Sequence, residues 1–148
     1  MTDGLPKWLR AQFDEDERIA RAVRVPHDWH QGPGDDPEWT DAEMVCMWPP
    51  EFHTPYEKDK HWRGLTVEGP ELAAHIARHD PARVLREIDA KRAIVARYEF
   101  ACREAGRLDL TDEEREVRVQ VAGALQSCVL CLAVIYADRP GYDEAWRP

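Results

Sequence analysis

The sequence predicts an α+β fold: an amino-terminal helix, a small irregular antiparallel β-meander, a short helix, and then a long antiparallel helical hairpin. Three observations predict it. Two stretches of three-four apolar spacing flank a helix-start signal at Thr111–Glu114. Seven prolines within residues 26–70 rule out a long helix there. The segment before them has no Gly or Pro after Pro6. At 148 residues, with 43% apolar and 33% charged, the chain can bury one core, so a single domain over 1–148 is expected.

Each element has its own justification. Residues 5–23 read as a helix because Leu9, Phe13, Ala20 and Val23 fall near one face. The acidic run Asp14–Glu17 precedes Arg18 and Arg21, placing two ion pairs at i,i+4. Residues 26–70 are Trp- and Pro-rich. The Gly32–Pro37 cluster predicts a turn, and His27–His30, Glu43–Trp48 and Trp62–Val67 predict short strands. Residues 71–105 hold a short helix and then a long one, separated by Asp80 as N-cap and Pro81 at the first helical position.

The long helix carries apolar or small residues at 81, 84, 88, 95, 98, 102 and 105, interrupted by Lys91. Gly106 is expected to stop it in the left-handed conformation. The last helix, 111–137, has the stripe Val117, Val121, Ala124, Cys128, Cys131 and Ile135, which predicts the side packed into the hairpin. Residues 128–136 are apolar on nearly every side, which predicts burial all round. The tail, 138–148, brings Tyr142 and Trp146, expected to fold back on the domain.

Net charge is −9, and residues 26–80 alone hold twelve acids against four bases. That field repels phosphate backbones and weighs against nucleic acid as a partner. The start shows no basic region leading into an apolar one, and the longest apolar run, Cys128–Ala137, is half of what a span needs, so a cytoplasmic, non-membrane protein is expected. Cys46, Cys102, Cys128 and Cys131 then read as reduced thiols, with Cys128 and Cys131 in the core.

The string His75–Arg92, H-I-A-R-H-D-P-A-R-V-L-R-E-I-D-A-K-R, resembles a family of small uncharacterised actinobacterial proteins, also found in actinobacterial phages, with an HIARHDPARVLREVEAKR-like segment. The helix Ala11–Ala22 and the ending Y-A-D-R-P-G-Y-D-E-A-W-R-P at Tyr136–Pro148 resemble the same family. The resemblance implies no activity.

Two constellations could carry chemistry. His75 and His79, four apart on one helix, present both imidazoles on one side, a spacing suited to zinc or another transition metal. A third ligand would come from His53, His61, Cys46 or Glu71, with His27 and His30 a second close pair. The bland alternative is one packed histidine and one solvated. The second constellation is Trp29, Trp39, Trp48 and Trp62 within the acidic middle, a protein-binding face to which Arg83 could add a grip on an anionic group. The alternative is that those rings cover the helices. No phosphate-binding Gly loop or nucleophile elbow is present. The sequence thus favours a non-enzymatic protein-interaction or regulatory module, with a metal-binding protein as the alternative. Another protein is the expected partner, and a homodimer through an exposed edge of the hairpin is also allowed.

Overall fold

The computed structural model describes residues 4–23, 30–31, 44–46, 64–66 and 70–148. Helix takes up 79% of the two long stretches among them. The helices are α1 (Leu5–Ala22), α2 (Pro70–Arg78), α3 (Pro81–Ala105) and α4 (Asp112–Val134), followed by a 3-10 turn at Glu144–Trp146.

The α+β class is therefore overturned: this is a helical protein, without a β-meander as a layer of the fold. Most of 26–70 lies outside the described residues. The extended backbone described there amounts to His30–Gln31, Met44–Cys46 and Gly64–Thr66, whose backbones pair antiparallel over two or three residues each. Proline supplies no ladder donor, and this segment lacks sustained alternation, so its sequence cannot specify a sheet face.

Two compact units emerge, Met1–Asp16 with Glu87–Pro148, and Glu17–Arg86. In the first, the helices bury one another. Leu5, Leu9 and Phe13 are fully buried at four-residue intervals on α1, as are Val95 on α3 and Val129 and Ala133 on α4. Burying such side chains contributes about 1.5–3 kcal/mol each.

The tail closes this core. Trp8 packs in tilted contact with Trp146 at 5.1 Å and Tyr142 at 5.8 Å, and its Nε1–H donates to the Pro140 carbonyl at 3.1 Å. Gly141 makes that approach feasible: its φ is +83°, and a Cβ there would lie 3.1 Å from Trp8 Nε1. Beneath it, buried Tyr136 donates to Asp16 at 3.0 Å and accepts from Lys91 at 3.2 Å, while Arg139 donates to the same carboxylate at 2.5 Å. This explains why Lys91 interrupts an apolar stripe. Burial, then the Asp16 charge, pushes the Tyr136 phenol well above its ordinary value.

In the second unit, α2 lies against the extended segments at 30–31 and 44–46 and buries Ala73 and Ala77. Asp80 Oδ1 accepts from the Arg83 backbone N–H at 2.5 Å, the N-cap that opens α3.

The hairpin turn has a reciprocal lock. Glu114 N–H donates to Thr111 Oγ1 at 3.3 Å, and Thr111 N–H donates to Glu114 Oε2 at 3.0 Å. Gly106 does not take the left-handed conformation expected of it; its N–H continues the helical pattern to the Cys102 carbonyl at 3.1 Å. Arg107 holds the turn instead, with a two-pronged contact to Asp109 that draws this carboxyl down to about 2.

Candidate interaction surface

α3 and α4 run antiparallel within the first unit, as Lys91 meets Tyr136 and Glu104 meets Arg118. The side that α4 turns inward is not the one its spacing suggests. Val129, Ala133 and Tyr136 are buried, whereas Val117, Val121, Ala124, Cys128, Cys131 and Ile135 are all exposed. Val117 and Ile135 each leave 57% of their surface to solvent and Val121 leaves 49%. The expected burial of residues 128–136 on every side is thus overturned, and Cys128 and Cys131 are exposed free thiols. The physical reason is that α4 carries two apolar stripes, and its own domain occupies one.

The exposed stripe adjoins an open groove of about 520 Å³ between α3 and α4. Ala96 and Phe100 line it from α3, and Val121 and Leu125 from α4. Phe100 is 57% exposed. The Arg118–Glu104 ion pair, at 2.6 Å, borders it. On another side of α3, Glu99 takes a two-pronged contact from Arg10, which holds its carboxyl below the usual range, the hydrogen bond being the larger cause.

Charge is absent from this stripe. Val119 through Ala137 include no Asp, Glu, Lys or Arg, whereas Asp112, Glu113, Glu114 and Glu116 crowd the start of the helix. By length and composition α4 is also apolar enough to cross a membrane, at a mean hydropathy of 1.7, with 17% of that window buried. The ten-residue measure of the apolar run misses this because Gln126 and Ser127 interrupt it without adding charge.

The residues singled out by sequence lie elsewhere. His75 and His79 are exposed at the end of α2, their ring centroids 4.3 Å apart. Among the described residues, no third His, Cys, Asp or Glu joins them in a cluster able to hold a metal. Trp29, Trp39, Trp48 and Trp62 lie outside the described residues. Arg83 donates from its guanidinium to the Arg78 carbonyl at 3.0 Å, engaging it at the break between α2 and α3. Phe100 stands outside the α3 stripe, and the signal for it in the sequence is a large apolar residue among Arg97, Glu99, Arg103 and Glu104.

A family model matches residues 2–148, and its description is Family of unknown function (DUF6221). No curated protein and no solved structure matches the chain.

Proposed function

The chain belongs to that family, and from this premise we propose that it is a non-enzymatic protein-interaction module whose working surface is the open face of α3 and α4. One observation carries the reading: a regular apolar stripe, Val117 to Ile135, stands in solvent beside a groove bordered by Phe100. Monomeric proteins rarely leave contiguous apolar surface of this kind without a use for it. Interfaces concentrate their affinity in aromatic and apolar anchors set beside pockets, which fits Phe100 and Val121 at this groove.

A photo-cross-linking amino acid placed at 100 or at 121 in the host cell tests this. The expected result is covalent capture of protein at both positions and little at 113, an exposed site on the same helix. Probes at 100 and 121 that captured only lipid, or nothing, would end the interaction reading.

His75 and His79 support a second reading, a transition-metal site of the zinc class. Two imidazoles with ring centroids 4.3 Å apart can share one cation. Elemental analysis of chelator-free protein is then expected to find bound metal that His79→Ala removes. Unchanged metal content in that variant eliminates the pair as ligands.

A further inference from the structure

We infer that the Cys128-Val-Leu-Cys131 segment of α4 is a two-thiolate site for one soft cation of the monovalent copper class, held within a single chain. The inference depends neither on the interaction reading nor on the His75–His79 pair.

Exposure is the first argument. Cysteines sealed in a core are inert, and here both thiols are free and exposed. They stand three residues apart in the body of α4, so their side chains leave the helix as neighbours on one side. Val129 between them is fully buried, and so is Ala133 one turn further on. The core therefore fixes the helical frame that carries the sulfurs. A cation meets a pair already in place, and no loop has to be ordered to receive it.

Spacing selects what the pair can bridge. A rise of about 1.5 Å per residue on a radius of about 2.3 Å puts Cα atoms three residues apart at about 5 Å. Their Cβ atoms lie about 5–6 Å apart. A disulfide draws the Cβ atoms to about 3.5–4.5 Å and the sulfurs to about 2 Å, so a direct bond would distort a turn that Val129 pins. A shared cation adds its own length. With a metal–thiolate bond of about 2.3 Å on each side, the sulfurs stand up to about 4.6 Å apart when the three atoms are in line. The undistorted helix thus suits a bridging cation better than a disulfide.

Donor chemistry selects the cation. Val119–Ala137 holds no Asp, Glu or His, and the Ser127 hydroxyl donates to the Gly123 carbonyl at 3.3 Å. Sulfur is then the donor set of this stretch, which suits soft cations and not the oxygen-seeking magnesium or calcium. Among the described residues, no group of three His, Cys, Asp or Glu forms around the pair. Structural zinc is closed by four protein ligands and iron–sulfur clusters by four cysteines. Monovalent copper is soft, and two thiolates in line satisfy it. Binding is an exchange without oxidation or reduction: two thiols release two protons, two copper–sulfur bonds form, and the site gains one net negative charge.

Titration of the tag-free, reduced full chain with copper(I) in the absence of air, against a chromogenic copper(I) chelator, is the test. The chain should take up one equivalent and acquire an ultraviolet thiolate-to-copper charge-transfer band. Bound copper should protect Cys128 and Cys131 from alkylation, read by peptide mass spectrometry, while Cys102, an exposed thiol on α3, still reacts. Adventitious binding to any exposed thiol would protect Cys102 as well, and that outcome overturns the site. Cys128→Ser and Cys131→Ser should each abolish uptake, with far-UV circular dichroism unchanged, because both positions are exposed. Cys102→Ser and His79→Ala should keep it. The alkylation pattern of the unaltered chain decides the matter even where a serine variant fails to fold. Uptake that persists in both serine variants overturns the inference. So does one copper per two chains, which would place the cation between copies, or a loss confined to His79→Ala, which would move it to α2.

Discussion

The tail closure and the α3–α4 face belong to the same compact unit but treat apolar surface in opposite ways. At the closure, Trp8, Phe13, Tyr136, Tyr142 and Trp146 pack ring against ring, and polar atoms beneath them are paired through Asp16, Arg139 and Lys91. At the face, Phe100, Val117, Val121 and Ile135 stand half in water with the groove open beside them. The closure shows that this sequence can fold an eleven-residue tail, 138–148, back to cover a helix where covering is needed. Leaving the other face bare is therefore a property of the chain, and it is what directs attention there for function.

Substitutions at the closure should sharpen that contrast through stability. Phe13→Ala removes a fully buried ring that meets Tyr136 at 5.9 Å. A loss of about 3–5 kcal/mol is expected by urea denaturation. A loss under 1 kcal/mol would mean the closure is as loosely packed as the open face. Gly141→Ala comes next. A side chain at φ +83° costs about 1–2 kcal/mol by itself, and its Cβ would crowd Trp8 Nε1. The melting temperature should fall, together with a change in the Trp8 fluorescence environment. Tyr136→Phe leaves Lys91 without its hydroxyl acceptor, for an expected loss of about 1–2 kcal/mol.

The same contrast shows which parts were legible in the sequence. The helix starts were, because capping is local chemistry: Asp80 before Pro81, and Thr111 with Glu114, can be read from residues three apart. The fold-back of Tyr142 and Trp146 was legible too, as a pair of large rings following Pro140. The side of α4 that enters the core was not. Two apolar stripes wrap one helix, and spacing alone chose the more regular one, Val117 to Ile135, which is the exposed one. The less regular set, Val129, Ala133 and Tyr136, is buried through long-range packing, with Tyr136 held by Asp16 and Lys91. The β-meander failed for a related reason: the helices carry the buried apolar positions, and extended runs of two or three residues did not make the fold α+β. Of the candidate sites, His75 and His79 were placed together as their spacing implied, while Phe100 beside Val121 required the hairpin itself.

Acid should separate the two regions more gently. The Glu99 carboxyl is held below its ordinary value by Arg10, which bridges α1 to α3. A depressed folded-state value contributes stability that is present above the unfolded value of about 4.3 and lost as pH falls through the folded one. The side chains are 46% and 28% exposed, so solvent screening holds the effect to under about 1 kcal/mol. Arg10→Met should therefore flatten the decline in stability between about pH 5 and 3. An unchanged acid limb in that variant would assign the decline to other carboxylates.

The smallest effect tests how complete the closure is. Tyr142 packs at 5.9 Å from Trp146, but its buried hydroxyl has no hydrogen-bond partner among the described residues. A hydroxyl removed from water without a partner opposes folding by about 1–3 kcal/mol. Tyr142→Phe keeps the ring and discards that cost, so stability should be unchanged or should rise, opposite in sign to Tyr136→Phe. Both variants delete one oxygen from neighbouring rings, so differences in size and apolar packing cancel between them. If both lost the same amount by urea denaturation, hydrogen bonding would not distinguish the two phenols, and the closure would owe its stability to ring packing alone.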